Sequence, residues 1–293
     1  MFMLKISVII GSYNQKSVLQ KVVDSFSRQS ALPDEFEVIV VDSSSTDGTQ
    51  EFLHSFKPQF LFRPMVIENN GKAHARNTGI KAAAAPIILI TDADMIADPE
   101  LIKTHILAHE SAIKPSCFEG LTYNLTRLEW PTTSANISPY ITRNYKQNTK
   151  LGWFYFLTGN LSIPKQLFLD NNGFDTEFTG YGWEDLELGY RLSLKKIPLF
   201  YLKNAINYHY HVVDQSGVIE RNFHKGRSAQ VFLKKHPEQR LFLGINPLAA
   251  SIYKTLKKWP YLHQKIEIYY KKTNHSFWHY LLSEYQYLDG LLT

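Results

Sequence analysis

The first hundred residues of the chain alternate between two patterns of apolar positions. Short runs of consecutive apolar residues predict buried strands, and stretches with apolar residues three and four positions apart predict helices. The predicted strands cover residues 6–10, 36–41, 60–67 and 86–90, and the predicted helices cover residues 15–29, 47–56 and 72–84. Continuous β-branched strands separated by helices are typical of a parallel sheet that is buried on both faces. The sequence therefore predicts an α/β fold.

The remainder of the chain is less regular. Strand-like pieces are predicted at Cys117–Leu121, Phe154–Phe156, Leu161–Ile163, Leu199–Leu202 and Ala205–His209. A helix is predicted to open at Trp183, and from Val218 onward the pattern is helical with few turn signals. We therefore predict an α/β domain over residues 1–233 and a helical extension over residues 234–293.

Polar residues follow the ends of the predicted parallel strands. They occur at residues 11–14 and 69–71, at Asp42, and at Asp92 and Asp94. Because right-handed crossovers bring the carboxyl ends of parallel strands to one edge, we expect these side chains to lie together. Open α/β sheets bind ligands at that edge, so the sequence predicts a binding site there.

Asp92 and Asp94 form the first candidate for chemistry. Two carboxylates that are two residues apart after a strand can meet on one cation, and oxygen ligands suit Mg²⁺ or Mn²⁺. An isolated Asp-x-Asp is more often an acidic turn or a helix cap. The preceding apolar strand and the Asp98-Pro99 helix start place both side chains at the ligand edge, which favours a metal site.

A second candidate is the segment of residues 180–185. Gly180 and Gly182 allow close approach of a ligand, and Trp183 offers a flat apolar face that suits a sugar ring. Glu184 and Asp185 open a predicted helix, where the dipole keeps carboxylates ionised and so able to act as a general base. Acids at a helix start can equally serve only as caps, and the residues alone leave both interpretations open.

Histidine and basic residues supply the remaining candidates. His209 and His211 share one face of a predicted strand, so one imidazole could complete an oxygen-rich site and favour Mn²⁺, although an aromatic core strand is the alternative. Lys72 and Arg76 are four residues apart on one helix face and could meet a diphosphate, or simply face solvent. No P-loop, dinucleotide fingerprint, zinc spacing or Gly-x-Ser-x-Gly is present.

Net charge and cysteine content indicate which binding partners and which cellular compartment to expect. The net charge is +5, and residues 234–293 hold nine basic and four acidic side chains, whereas residues 1–233 are balanced at 23 of each. A nucleic-acid surface across the fold is therefore not expected. The single cysteine, Cys117, excludes an intrachain disulfide and fits a reducing compartment. With no signal peptide and no apolar run of membrane-spanning length, we predict a cytoplasmic location.

In this order, the segments resemble the family 2 glycosyltransferases, whose nucleotide-sugar-binding fold is called GT-A. The resemblance covers about residues 5–211 and rests on Ser7–Asn14, Val40–Thr49, Ala75–Gly79, Thr91–Asp94 and Gly180–Leu188. The last segment is similar to the Trp-Gly-x-Glu-Asp region of inverting galactosyl- and N-acetylgalactosaminyl-transferases. Gly11-Ser12 replaces the commoner Pro-Thr, and Ser43 stands where a second acid is frequent.

The resemblance implies a role for each matching position. The donor would contact Ser12, Tyr13, Asn14, Asp42, Asn70, Lys72, Arg76, Asp92, Ala93, Gly159, Asn160 and Trp183, with Tyr13, Asn14 and Asp42 on the base and ribose and Arg76 near the diphosphate. Asp94 and His209, with Asp92, would hold a divalent cation, Mn²⁺ by preference and Mg²⁺ as the alternative. Asp185 would be the catalytic base, and Glu184 would contact the sugar or the acceptor.

The implied activity is inverting, metal-dependent transfer of a sugar from a nucleoside diphosphate sugar, preferably a UDP-sugar, to a hydroxyl of a glycan or lipid-linked acceptor. A sugar-nucleotide pyrophosphorylase is disfavoured because residues 11–14 contain one glycine and no arginine. A non-catalytic relative is disfavoured because Asp94, Asp185 and His209 are all present.

The basic extension also carries ten aromatic residues between positions 250 and 293. Basic and aromatic residues together suit a membrane interface, which predicts peripheral contact with the inner face of the membrane. A helical subdomain that packs its aromatics on the catalytic core, or a dimer contact, is the alternative.

Overall fold

The computed structural model describes residues 4–128, 137–138, 145–210, 215–245, 247–259, 261, 264–265, 268–269 and 276–293. The strands in this part of the chain are β1 (Ile6–Ser12), β2 (Phe36–Asp42), β3 (Leu61–Val66), β4 (Ile87–Asp92), β5 (Met95–Ala97), β6 (Cys117–Asn124), β7 (Lys150–Leu151), β8 (Asn160–Pro164) and β9 (Leu199–His209). The α-helices are α1 (Lys16–Ser25), α2 (Thr49–Ser55), α3 (Lys72–Ala82), α4 (Leu101–Glu110), α5 (Lys165–Leu169), α6 (Glu184–Leu194), α7 (Gln215–Lys235), α8 (Pro247–Lys258) and α9 (Ser276–Leu292).

The described strands form one sheet in the order β3-β2-β1-β4-β8-β6-β9-β5, with β7 also paired to β9. β1 runs parallel to β2 and β4, and β2 runs parallel to β3. β8 is antiparallel to its neighbours, whereas the long pairing of β6 with β9 is parallel. The longer ladders are therefore parallel, and the predicted α/β class is confirmed.

Both faces of the sheet are buried, as the continuous apolar strands predict. On one face, Ile9 and Ile39 pack with Ile80 of α3, and on the other face, Val8 and Val38 belong to a second apolar cluster. All five side chains are inaccessible to solvent. Burial of apolar area on this scale holds the strand ends in fixed positions, which the site requires.

Several local elements differ from the sequence-based prediction. Residues 153–155 form a 3₁₀ turn rather than a strand, because Trp153 packs against Tyr190 with ring centroids 5.1 Å apart. Residues 199–209 form one strand instead of two, since a register shift at Gly120/Leu121 passes over residues 203–205 of β9 and lets pairing with β6 resume at Ile206. The short strand β5, which pairs with β9, was not predicted.

Contacts divide the chain into two compact units, one of residues 1–176 with 184–211 and the other of residues 177–183 with 212–293. We call them the sheet unit and the helical unit. Helix α7 continues through residues 233 and 234, so the predicted domain boundary falls inside a helix. Within the described ranges, no helix combines the length and apolarity that a bilayer crossing requires.

The helical unit is built around the crossing of α7 and α9. A Cβ atom on Gly226 of α7 would collide with the backbone of Tyr287, and one on Gly290 of α9 would collide with the backbone of Phe223. Glycine at both positions therefore allows the two helix backbones to touch, which fixes the face that α7 presents on its other side.

Candidate active site

The ends of β1, β2 and β4 meet at one edge of the sheet. Ser12 pairs in register with Asp42, and Gly11 pairs with Asp92. The predicted gathering of polar residues is therefore confirmed for the ends of these three strands.

Asp42 organises the loops beyond β1 and β2. Its carboxylate is completely buried and accepts hydrogen bonds from the backbone and side chain of Ser45. The Ser45 hydroxyl oxygen in turn accepts from the backbone N–H of Asn14 at 2.8 Å, and the Asn14 side-chain oxygen accepts from the backbone N–H of Thr46 at 2.8 Å. Asp42 and Asn14 thus shape the loops, while Tyr13 is half exposed beside them.

Three other predicted donor contacts lie around this edge. Ser12 is buried, and its hydroxyl has no hydrogen-bond partner among the described residues. A buried hydroxyl in that state at a strand end is the kind of group that a ligand can satisfy. Ala93 is buried, whereas Asn70 is exposed in the loop before α3.

Arg76 lies at the centre of the site and is almost fully buried. Its guanidinium donates to Asp92 at 2.7 Å and to Glu184 at 3.0 Å, so it joins the end of β4 to the start of α6. Lys72, one turn earlier in α3, reaches the same Asp92 oxygen at 3.0 Å. Burial makes this side chain an internal bridge between the two carboxylates, and its predicted approach to the diphosphate stays a prediction.

Asp92 is held ionised by these two cations. Burial alone would raise its pKa, but Lys72 and Arg76 outweigh that effect and lower the pKa below its usual range. A carboxylate in this state accepts strong hydrogen bonds and does not act as a proton carrier near neutral pH.

Glu184 and Asp185 open α6. Glu184 is buried, and its Oε2 atom has no hydrogen-bond partner among the described residues. Asp185 is partly buried and accepts from the backbone N–H of Leu186 at 2.8 Å. Burial and the neighbouring Glu184 charge raise the pKa of Asp185 to about 6. The dipole at the helix start was predicted to keep both acids ionised. At Asp185, burial offsets the dipole and raises the pKa.

Asp94 and His209 face each other beyond β4 and β9. His209 Nε2 lies 3.5 Å from Asp94 Oδ2, and its Nδ1 lies 3.0 Å from the side-chain oxygen of Asn124. Because an amide oxygen only accepts, Nδ1 carries the proton and the Nε2 lone pair points toward Asp94 in the neutral ring. An imidazole nitrogen oriented this way beside a carboxylate fits a divalent cation such as Mn²⁺.

Asp92 does not join this pair. Within the described part of the chain, no three His, Cys, Asp or Glu side chains are grouped to hold a metal ion. Lys72 and Arg76 both contact one oxygen of Asp92, so Asp94 and His209 are the two members of the predicted set that face each other, and the role of Asp92 toward a metal stays a prediction. His211 lies outside the described residues.

Asn160 begins β8, and Gly159 directly precedes it. The carbonyl oxygen of Gly159 accepts from Thr91 at 2.9 Å and from the Asn207 amide at 2.6 Å. Asn160 is buried, and its amide donates to the backbone of Ala205 at 2.9 Å. The side chain of Asn160 is used inside the sheet, and the predicted place of residues 159 and 160 beside the donor sugar stays a prediction.

A buried polar network beneath Asn160 was missed by the sequence analysis. His105 Nε2 lies 2.9 Å from the Asn160 side-chain oxygen, and Ser162 bridges His105 and His109 at 2.8 Å to each ring. Burial lowers the pKa of His105 to about 4 and that of His109 to about 3, so both rings are neutral. Two histidines four residues apart on the sheet-facing side of α4 were the available signal.

Trp183 belongs to the helical unit. Its indole N–H donates to the backbone of Lys225 at 2.9 Å, and its ring lies 5.9 Å from Phe232 and 6.5 Å from Tyr287 between centroids. Its backbone has φ = 75°, a strained value for tryptophan. Packing within this unit engages the ring, and the predicted use of Trp183 as a sugar platform stays a prediction.

The sequence of this chain matches models of known protein families. The model of the family described as "Glycosyl transferase family 2" matches residues 7–168. The chain belongs to glycosyl transferase family 2. A second model, "N-terminal domain of galactosyltransferase", matches residues 139–215 of this family 2 member and includes the Glu184–Asp185 segment.

Curated relatives agree with the family. Over 221 residues the chain is 29% identical to validoxylamine A glucosyltransferase from Streptomyces hygroscopicus subsp. limoneus, which covers 66% of this chain and 49% of the relative. It is 27% identical over 259 residues to the uncharacterized glycosyltransferase YfnE from Bacillus subtilis (strain 168), covering 70% and 64%. The chain thus spans about half to two thirds of the length of these relatives.

Solved structures share the fold. The mannosyltransferase PcManGT from Pyrobaculum calidifontis, in complex with GDP-Man and Mn²⁺, matches with a TM-score of 0.63 at 17% identity, covering 100% of this chain and 87% of that one. S. aureus TarS 1–349 in complex with UDP matches with a TM-score of 0.59 at 19% identity, covering 84% and 76%. The family 2 member therefore has the GT-A fold that its motifs imply.

Proposed function

We propose that this chain is an inverting glycosyltransferase that moves a hexosyl or N-acetylhexosaminyl group from a nucleoside diphosphate sugar, preferably a UDP-sugar, to an acceptor hydroxyl. The observation that carries the proposal is the Glu184–Asp185 pair, tied through Arg76 to Asp92 at the ligand edge of the sheet. Nucleotide complexes of two proteins with this fold support the donor class.

In this proposal Asp185 takes the proton of the acceptor hydroxyl. The hydroxyl oxygen forms a bond to the anomeric carbon as the bond from that carbon to the diphosphate breaks on the opposite face, which inverts the carbon. A pKa of about 6 leaves Asp185 ionised at neutral pH yet more basic than an ordinary aspartate. Arg76 fixes Glu184 beside it, so the base keeps one position relative to the strand ends.

Asp94 and His209 would hold a divalent cation, with Mn²⁺ preferred over Mg²⁺. When bound, such a cation supplies positive charge that offsets the charge developing on the departing diphosphate. Asn124 holds the His209 ring in the orientation that presents Nε2. Lys72 is half exposed and pairs with Asp92, so it could also present charge toward the donor.

The donor proposal predicts metal-linked stabilisation by UDP. In a thermal-shift assay we expect UDP to raise the melting temperature only when Mn²⁺ is present, because Asp94 and His209 would hold the cation, which would supply positive charge for the diphosphate. A UDP concentration one hundred times its dissociation constant would raise the free energy of unfolding by about 2.7 kcal/mol. Asp94→Ala should remove the shift.

The matched control is Asp34→Ala, an exposed aspartate at the opposite end of β2. It should retain the full UDP shift. Equal stabilisation by UDP with and without Mn²⁺ would contradict the metal assignment. UDP binding without any transfer would favour a non-catalytic relative, and synthesis of a nucleotide sugar from a sugar phosphate and UTP would favour a pyrophosphorylase.

The base assignment predicts the pH dependence of transfer. Because Asp185 must be ionised to accept a proton, we expect the rate to fall below an apparent pKa of about 6. Glu184→Gln removes a neighbouring negative charge, so the acid limb should move to lower pH. Initial rates at saturating donor between pH 4.5 and pH 8 would measure both profiles. An identical acid limb in the variant would contradict the coupling of the two acids.

The acceptor side of the proposal involves the carboxyl-terminal residues. We propose that the sheet unit holds the donor site and that the basic, aromatic residues after 233 make peripheral contact with the inner face of the membrane, where a lipid-linked acceptor would lie. Trp259 and Tyr261 support this, with 65% and 68% of their surfaces exposed. Cytoplasmic location belongs to the same proposal.

Membrane contact predicts lipid-dependent sedimentation. We expect the protein to sediment with vesicles that contain anionic lipid and much less with neutral vesicles, because basic and aromatic side chains bind such interfaces together. Trp259→Ala/Tyr261→Ala should reduce the bound fraction at least twofold. Ile113→Ala, which removes an exposed apolar side chain from the sheet unit, should not. Equal binding to anionic and neutral vesicles would contradict the proposed contribution of the basic side chains to membrane contact.

A further inference from the structure

The helical unit contains a pocket that the proposed chemistry does not use. One wall is the loop that carries Glu177, Thr179 and Gly180, and the other is a face of α7 from Phe223 to Lys234. Its volume is about 490 Å³, which lies within the range of small-molecule sites. The residues of both walls belong to the helical unit, so the pocket is defined within that unit.

Two cations on the pocket wall carry unneutralised charge. Arg227 and Lys234 are exposed and lie seven residues apart on the same face of α7. Neither side chain has a hydrogen bond or ion pair within the described ranges. The carboxylate of Glu177 is already paired with Lys235 at 2.9 Å, so it does not offset them. The pocket is therefore positively charged and would repel a cationic ligand.

A buried hydroxyl lies in the same pocket. Ser228 is 3% exposed, and its oxygen has no hydrogen-bond partner in the part of the chain that the structure describes. That oxygen lies 2.8 Å from where a Cβ atom on Gly180 would stand, so a larger residue at position 180 would collide with the hydroxyl, and glycine lets the loop lie directly against it. A buried polar group without a partner costs stability, which a ligand that hydrogen-bonds to it would recover.

The combination of groups selects a ligand class. Arg227 and Lys234 match a phosphate or carboxylate, the Ser228 hydroxyl matches a sugar hydroxyl, and Phe223 offers an aromatic surface for the apolar face of a sugar ring. We infer that this pocket binds an anionic sugar unit of the acceptor. The loop that forms its wall leads within five residues to Asp185, so the inference rests on the proposed function of that residue.

Calorimetry with the full chain tests the inference. Saturating UDP and Mn²⁺ would occupy the donor site first, and the probes would be glucose 6-phosphate, glucuronate and uncharged glucose. We expect at least one anionic probe to bind about 10-fold or more tightly than glucose, because a charge-assisted pair contributes at least that factor. Binding of only the phosphate or only the carboxylate would identify the group that the site recognises.

Three variants assign the binding to this pocket. Arg227→Ala/Lys234→Ala should weaken the anionic probe about 10-fold or more, since both charges are removed. Lys21→Ala/Lys57→Ala removes the same charge from exposed positions of the sheet unit and should leave binding unchanged. Ser228→Ala should weaken binding about threefold while raising the melting temperature, because it removes the unsatisfied hydroxyl.

Several results would overturn the inference. Equal binding of charged and uncharged sugars would do so, and so would the absence of binding by any probe. An equal loss of probe affinity in the two double variants would place the binding elsewhere. An anionic probe that binds without UDP but no longer binds when UDP saturates the donor site would show that the probe occupies the donor site. The proposed function is judged separately by UDP binding. A chain that binds UDP but no anionic sugar refutes the pocket alone, and a chain that binds the anionic sugar through Arg227 and Lys234 but no nucleotide refutes the transferase alone.

Discussion

Asp185→Asn is expected to abolish sugar transfer while leaving UDP binding intact. The amide cannot accept the acceptor proton, so the rate should fall about 10²–10⁴-fold. The same substitution should stabilise the protein at pH 8. Because the folded-state pKa of about 6 lies above the ordinary value, the stability that Asp185 contributes is present at low pH and lost as pH rises through 6. A neutral amide avoids that loss, and a rise of about 2–4 °C corresponds to ~1 kcal/mol.

Two measurements check this expectation. Transfer is followed as UDP release from the donor in the presence of acceptor, and melting temperatures are compared at pH 8 and pH 4, where the gain should vanish. Asp34→Asn, at an exposed position, is the matched control for both. Retained transfer in Asp185→Asn would refute the base assignment, and a lower melting temperature at pH 8 would refute the account of its pKa.

Arg76→Met is expected to be the most destabilising single change in the site. It leaves Asp92 and Glu184 as carboxylates without their shared cation, and removing one partner of a buried ion pair costs about 3–5 kcal/mol. For a chain of this size the melting temperature should fall by about 10 °C. Thermal unfolding followed by circular dichroism measures the change.

Lys72→Met supplies the comparison for Arg76. Lys72 contacts the same Asp92 oxygen, but its side chain is 46% exposed, so the loss should stay within about 1 kcal/mol. Arg76→Met/Glu184→Gln should recover part of the stability, because the buried charge on Glu184 is removed together with its partner. Equal effects of the two single variants would show that burial does not decide the strength of these pairs.

The sheet could be predicted because its signals are local. The apolar runs of β1, β2 and β4 admit few alternatives, and parallel pairing brings their carboxyl ends together whatever the loops do. Residues 153–155 could not be assigned in this way. Their aromatic run fits a strand as well as a turn, and the packing of Trp153 against the distant Tyr190 decides between them.

The sequence indicated which residues gather at the site, but it did not indicate which side chains contact one another. The motifs placed Asp92, Arg76 and Glu184 at one edge, yet not the direction in which Arg76 points. That direction is set by its hydrogen bonds to the carboxylates of Asp92 and Glu184, and Glu184 is 108 residues away in sequence. The inward turn of Asn160 depends in the same way on His105, a helical residue 55 positions away. Sequence spacing carries no information about such pairings.

The loop of residues 177–183 interrupts the sheet unit in sequence but folds with the helices that follow residue 211. Trp183 obtains its ring neighbours and its hydrogen-bond acceptor from α7 and α9, and the next residue is Glu184. A shortened protein that ends after β9 would lose the contacts that hold the segment leading into Glu184 and Asp185. We therefore expect the sheet unit to need the helices that follow residue 211 in order to hold the start of α6, even though most of the predicted donor contacts lie within the sheet unit.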